Sequence, residues 1–290
     1  MAKRKAAAVI LSHGRADNVR TYEVLRQQNW TGPIFIVIDD EDAQGDAYRE
    51  RYGEEVIVFD KKAEQLRTDQ MDNFPERNTV TYARNASQRI LREMGYTHIL
   101  QLDDDYQWFG WRVIQRAGLR GYTITNLDTI FNLFWDFLDT TPTRTIALAQ
   151  GGDYIGGWKT YAYWETYRRK AMNSFFIRLD RPVEFIGRMN DDVNTYVRGG
   201  NNGEVFLTHT LPYLVQPPTQ KNAGGLTEMY LERGTYVKSF YTVILQPSSV
   251  KIVSLNGGAA ARMHHAIQWD KTVPKILGPQ HRNPRTGEKK

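Results

Sequence analysis

The stretch "THILQLDDDYQWF", residues 97–109, decides how the chain is read. Thr97 to Leu102 have the length and apolar character of a buried strand, and three aspartates follow without a break. Adjacent carboxylates repel one another, and burial sharpens the repulsion. A divalent cation offsets it, because hard cations prefer carboxylate oxygens. With alternate residues on one side of an extended chain, Asp103 and Asp105 face the same ion and Asp104 points elsewhere. The competing reading is a solvated acidic turn.

Upstream of this stretch, strand and helix signals alternate. "AAAVILSHG" (6–14), "PIFIVIDDE" (33–41) and "EVIVFDK" (55–61) read as buried strands. "NVRTYEVLRQQN" (18–29) and "DAYRERYG" (46–53) read as helices. "TVTYARNASQRILREMG" (79–95) is the strongest helix, with Val80, Ala83, Ser87, Ile90, Leu91 and Met94 on one stripe and Gly95 as its stop. Such alternation implies a mostly parallel, doubly wound sheet, whose ligands bind beyond the carboxyl ends of the strands. Three of the four strands end in acids: Asp39–Asp40, Asp60 and Asp103–Asp105.

Downstream, residues 122–139 read as an amphipathic helix. The pattern then turns β-rich through "RTIALAQGG", "SFFIRL", "EVFLTHTLPYLV" and "SVKIVSL". No internal repeat or linker separates the parts. The expectation is one mixed α/β domain, with a nucleotide-binding half (6–110) and an acceptor-binding half (111–280). The 290 residues, 41% hydrophobic and 24% charged, suffice for such a core.

The absence of cysteine excludes disulfides and thiolate metal sites and favours a cytoplasmic setting. No apolar run approaches the roughly 20 residues that span a bilayer, so no membrane partner is expected. The total charge is +5, but each of the tails 1–5 and 281–290 carries three net positive charges, leaving residues 6–280 at −1. The basic character therefore lies in tails able to hold a polyanion or simply to aid solubility.

Four further groups carry candidate chemistry. Arg84 falls on the buried stripe of its helix and needs an anionic partner, either an aspartate of the sheet or a phosphate. Asn85 beside it offers donor and acceptor groups. Asp191 and Asp192, in "GRMNDDVNTYV" (187–197), enter an apparent helix and act either as its cap or as a general base. His264 and His265, in "AARMHHAIQW" (260–269), point to different faces, so at most one joins a metal site; both are equally readable as structural, with His209 a weaker alternative. In "KTYAYWETYRRK" (159–170) an extended chain places Tyr161, Tyr163 and Tyr167 with Arg169, and Trp164 with Arg168, a pattern suited to stacking on bases and meeting phosphates.

The order of these motifs resembles a GT-A nucleotide-sugar glycosyltransferase. "VILSHGRADN" enters a donor loop, Ala83-Arg84-Asn85 lies on a helix, and Asp103–Asp105 forms the Asp-x-Asp. Asp191–Asp192 stands where an acidic pair, usually Glu-Asp, supplies the base, and His264 or His265 follows. Within that fold "GGDYIGGWKTYAYWETYRRK" and "FIGRMNDDVNTY" resemble the phage TET-associated glycosyltransferases, which are similar to enzymes that place sugar on oxidised pyrimidines of DNA.

The resemblance implies a UDP-sugar donor, most simply UDP-glucose, and a Mn²⁺ or Mg²⁺ ion. It implies donor contacts from Ser12, His13, Arg15, Asp39, Arg84, Asn85, Asp103 and Asp104, and metal contacts from Asp103, Asp105 and His264 or His265. Asp192, with Asp191 beside it, would be the base. The partner would be double-stranded DNA carrying a hydroxymethylated pyrimidine such as 5-hydroxymethylcytosine, held by Tyr163, Trp164, Arg168 and Arg169. The setting would be the host cytoplasm for a phage-encoded enzyme. The alternatives are the same transfer to a glycan, protein or small molecule, a nucleotidyltransferase, for which a Gly-rich phosphate loop is lacking, and a non-catalytic nucleic-acid-binding protein.

Overall fold

In the computed structural model, which describes residues 4–115, 118–150, 172–217, 236–256, 261–277 and 279–282, the apolar runs of the first hundred residues become four parallel strands. β1 (Ala6–Leu11) lies between β2 (Ile34–Asp39) and β4 (His98–Asp103), and β3 (Val56–Phe59) pairs with β2. The runs are apolar at nearly every position because both sheet faces are covered. Ala8 and Ile10 join one core, with Ile36, Ile38, Leu100 and Leu102. Ala7, Val9 and Leu11 join the other, with Val37 and Ile99.

The helices divide between these cores. α1 (Arg20–Gln27), α2 (Gly45–Tyr52) and α5 (Leu127–Thr140) bring Val24, Leu25, Tyr48, Phe131 and Trp135 to the first. α4 (Thr81–Glu93) and α6 (Asp191–Asn201) bring Tyr82, Ala86, Leu91, Val193 and Val197 to the second. A short α3 (Lys61–Arg67), unread in the sequence, starts where the Asp60 carboxylate accepts from the Ala63 amide at 2.7 Å.

The sheet continues past β4 through β8 (Ser174–Arg178), β7 (Thr145–Ala149), β9 (Phe206–Val215), β5 (Trp108–Gln115) and β6 (Gly118–Thr123). The nine strands run in the order β3-β2-β1-β4-β8-β7-β9-β5-β6. β8 is antiparallel to both β4 and β7, β9 is parallel to β7, and β5 is antiparallel to both β9 and β6. This is the doubly wound mixed sheet expected of the chain. β10 (Val250–Asn256) and β11 (Ala261–Ile267) form a separate antiparallel pair, against which α7 (Tyr236–Leu245) packs. Short helices α8 (Trp269–Thr272) and α9 (Pro279–Arg282) follow.

One expectation is corrected. The helix read over 122–139 begins at Leu127, capped by the Asn126 side chain on the Thr129 amide at 3.0 Å, while residues 118–123 pair with β5. Residue 110 lies inside β5, which belongs to the same sheet as β1–β4. At the N-terminal end, Arg4 pairs with Asp136 at 2.5 Å and Asp139 at 2.7 Å, and Lys5 donates to the Met94 carbonyl and lies 4.1 Å from the Tyr96 ring centre. Among the described residues no helix is long and apolar enough to cross a membrane.

Candidate active site

The centre of the site is Arg84. The helical period of α4 turns it onto the face against the sheet, where its side chain is 3% exposed. Its guanidinium lies over the rings of Phe175 and Phe185, with centroids 5.0 and 5.4 Å away. Nε stands 2.7 Å from Asp191 Oδ2, and Nη2 donates to Asp103 Oδ1 at 3.4 Å. One buried cation thus joins the acid that ends β4 to the acid that opens α6. Nη1 finds no hydrogen-bond partner among the described residues.

The three aspartates have different surroundings. Asp104 turns inward, accepting from Ser12 Oγ at 2.6 Å and Arg15 Nη1 at 2.7 Å, and Tyr48 bonds the same Ser12. Asp104 is therefore a strut under the loop that follows β1. Asp103 keeps an open edge, its side chain 30% exposed. Its carboxyl is pushed up to about 7 by burial, opposed by Arg84 and reinforced by Asp105, Asp104 and Asp191. Asp105 is raised by burial and by Asp104, and no side-chain donor reaches its carboxylate among the described residues. Asp191 is also raised by burial, against the pull of Arg84.

A second polar group flanks the first. His13 Nδ1 lies 2.8 Å from Asp39 Oδ2, and Lys61 Nζ lies 3.1 Å from Asp39 Oδ1. The hydrogen bond to Asp39 raises the His13 pKa. Burial works to raise Asp39, but His13 and Lys61 outweigh it and hold its carboxyl below the usual range. Asp42 accepts from the Gly14 amide at 2.8 Å, where Gly14 takes φ +66°, a conformation costly for a residue with a Cβ. Lys61, Asp42 and Tyr48 were not read from the sequence. Lys61 hides behind the Asp60 cap, and Tyr48 reads only as a residue of a surface helix.

Other predicted residues are placed differently. The Asn85 side-chain amide donates to the Phe185 carbonyl at 2.9 Å and to Thr68 Oγ1 at 3.3 Å, and accepts from the Phe185 amide at 3.0 Å. Asp192 is half-buried, and its Oδ1 accepts from the Val193 amide at 2.8 Å. The rings of His264 and His265 lie 4.3 Å apart and tilted by 32°, with His265 the more buried of the two. His265 Nδ1 is 3.4 Å from the amide of Asn190, the residue before Asp191. His209 is stacked on Phe134 with centroids 5.5 Å apart, and its Nδ1 accepts from Leu211, so its surroundings are aromatic. Tyr163, Trp164, Arg168 and Arg169 lie outside the described residues.

The donor set fits a hard divalent ion shared with a nucleotide. Among the described residues no three His, Asp or Glu side chains gather as a metal cage. Mg²⁺-type sites commonly take one or two carboxylates and complete the shell with phosphate oxygens and water. Asp103 and Asp105 would supply two carboxylates, with the Arg84 Nη1 as a donor that has no partner among the described residues.

Acidic side chains gathered beyond the carboxyl ends of parallel strands stand where open α/β sheets bind their ligands. The model of the TET-Associated Glycosyltransferase family matches residues 6–225, and the chain belongs to that family. It is therefore a glycosyltransferase. Among solved structures it is similar to glucosyl-3-phosphoglycerate synthase from Mycobacterium tuberculosis, in complex with Mn²⁺, UDP and phosphoglyceric acid. That likeness has 8% identity and TM-score 0.48, covering 92% of this chain and 88% of that one. It is also similar to a mannosyltransferase from Pyrobaculum calidifontis with GDP-Man and Mn²⁺, at 12% identity and TM-score 0.45, covering 84% and 74%. No curated protein matches the sequence.

Proposed function

We propose that the protein moves a sugar from a UDP-sugar, most simply UDP-glucose, to the hydroxymethyl oxygen of 5-hydroxymethylcytosine in DNA. The observation that carries this reading is the cluster in which Arg84 joins Asp103, at a strand end, to Asp191, at a helix start, in a chain of a glycosyltransferase family. The family description, TET-associated, supports an oxidised pyrimidine as acceptor. In this reading the enzyme works in the host cytoplasm, on DNA of a phage that encodes it.

Asp103 and Asp105 would hold a Mn²⁺ or Mg²⁺ ion. The ion's contribution is to neutralise the charge that develops on the leaving diphosphate. Arg84, with an unpartnered Nη1, would give a second positive contact to the donor. His13, Asp39 and Lys61 would meet the uridine end, while Ser12, Arg15 and Asp104 hold the loop beneath it. The acceptor oxygen attacks the anomeric carbon as the bond from that carbon to the diphosphate oxygen breaks. Asp192 takes the acceptor proton, and UDP leaves. A single displacement of this kind inverts the anomeric centre. Asp191 stays ion-paired and fixes the start of α6. His264 or His265 would be a further metal ligand, and Tyr163, Trp164, Arg168 and Arg169 would hold the DNA.

The test is incubation with labelled UDP-sugars, Mn²⁺ and duplex DNA with or without 5-hydroxymethylcytosine. Label is expected only on the hydroxymethylated duplex. Transfer to a glycan or small alcohol, with that duplex untouched, would show that the acceptor assignment is wrong.

A further inference from the structure

The β5–β6 hairpin is the least covered part of the sheet. Val113 pairs with Arg120 and Trp111 with Tyr122, so these four share one face; Ile114 and Leu119 share the other. Val113 is 39% exposed and Tyr122 44% on the first face, and Ile114 is 50% exposed on the second. Both faces at this end of the ribbon are therefore open, and β6 is also the sheet edge. Edge strands ordinarily carry charge to prevent pairing, and Arg120 alone would serve that purpose. Three exposed apolar side chains on the same ribbon work against it.

The root of the ribbon is braced. The hydroxyl end of Tyr213 lies over Gly110 and Gly121, where a Cβ at either position would come within 2.4 Å of it. The Arg112 guanidinium stands 4.1 Å from the Tyr213 ring centre and donates to the Gln150 and Thr210 carbonyls. Residues 108–123 contain no acidic side chain. Arg120 lies 5.4 Å from the Tyr122 ring centre, which pairs a cation with an exposed aromatic. The ribbon also starts at the site, since Trp108 follows Asp105 by three residues.

A stiff, two-stranded, cationic ribbon has the dimensions of the DNA major groove, about 12 Å wide, which admits such an element. We propose that the β5–β6 ribbon enters the groove of the acceptor duplex and presents its target base to the carboxylate site. This rests on the reading of DNA as the acceptor. Arg120 meets phosphate, and Tyr122, Val113 and Ile114 meet base edges and sugars.

The test is the double variant Arg120→Ala/Tyr122→Ala, whose two side chains are exposed, beside the conservative pair Arg120→Lys/Tyr122→Phe. KM is measured on hydroxymethylated duplex and on the free nucleoside 5-hydroxymethyl-2′-deoxycytidine, with duplex binding followed against salt. The alanine pair should raise KM for duplex by about tenfold, as loss of one aromatic and one phosphate contact does. It should make the log–log salt slope shallower by about 0.9, leave nucleoside transfer unchanged, and be largely restored by the conservative pair. Equal duplex KM for wild type and alanine pair overturns the ribbon while leaving the DNA reading intact. A wild type that modifies the nucleoside or another acceptor but never duplex overturns both. A dimer that falls apart in the alanine pair, with duplex KM unchanged, assigns this edge to a second copy of the chain and overturns the proposal.

Discussion

Replacing Arg84 by Met removes the one cation between two buried acids while keeping most of the side-chain volume. Arg84 stands 2.7 Å from Asp191 and 3.4 Å from Asp103. At an effective dielectric of about 20, each contact represents on the order of 5 kcal/mol of gross attraction. Desolvation of the three groups consumes much of it, and breaking a buried pair from one side typically costs about 3–5 kcal/mol. Asp103 moderates that cost, because a carboxyl already pushed up to about 7 takes up a proton at little expense near neutral pH. The expected loss is therefore about 3 kcal/mol, a large share of a stability of roughly 5–15 kcal/mol. Urea unfolding at pH 7 reads it as a fall in midpoint of roughly 1 M. Asp191→Asn in the Arg84→Met background should cost less than the sum of the single changes, with a coupling of about 2 kcal/mol. Stability of Arg84→Met within about 0.5 kcal/mol of wild type, or strictly additive changes, would refute the view that this arginine holds the two acids together.

Asp105→Ala should leave the melting temperature unchanged, since no side-chain donor reaches its carboxylate among the described residues, yet remove most Mn²⁺-dependent UDP binding by calorimetry. Asp192→Asn should lower kcat by about 10²–10⁴-fold with UDP affinity kept, whereas Asp191→Asn should show mainly as lost stability. Asp72 gives a pH test away from the site. Burial works to raise it, but Arg188 (2.8 Å) and Tyr241 outweigh burial and depress its pKa. Its stabilisation is therefore full above the unfolded carboxyl value of about 3.9 and is lost as pH falls through the folded one. Asp72→Asn should be less stable than wild type at pH 7, and the urea midpoints should start to approach each other below about pH 4 and converge once pH has fallen past the lowered folded pKa. A gap that persists in acid would contradict this.

The parallel half of the sheet was legible because burial on both faces makes β1, β2 and β4 apolar almost throughout, and α4 shows an unbroken helical period. Arg84 was legible as a buried cation in need of an anion. Its partner Asp191 could not be singled out, because the two meet only after β8 is inserted beside β4 and α6 packs into the same core as α4. The β5–β6 hairpin was not read: a glycine weakens a strand pattern, whereas in the fold Gly110 and Gly121 make room for Tyr213. Asn85 carries an ambiguous signal: an amide that suits a nucleotide equally suits a peptide group, and here it pairs with Phe185. Lys61 carried no signal, since a lysine after a helix-capping aspartate is ordinarily a solvated one, and its burial against Asp39 depends on the packing of β2 beside β3.

The most direct test of the central claim is nucleoside mass spectrometry of 5-hydroxymethylcytosine duplex after incubation with UDP-glucose and Mn²⁺, with wild type and Asp192→Asn side by side. The wild type should convert hydroxymethylcytidine to a species heavier by one hexosyl residue, leave cytidine untouched, and outpace Asp192→Asn by at least about a hundredfold. Equal conversion by the two proteins would remove Asp192 from the chemistry. An unmodified duplex under conditions where the wild type hydrolyses UDP-glucose would contradict the DNA acceptor.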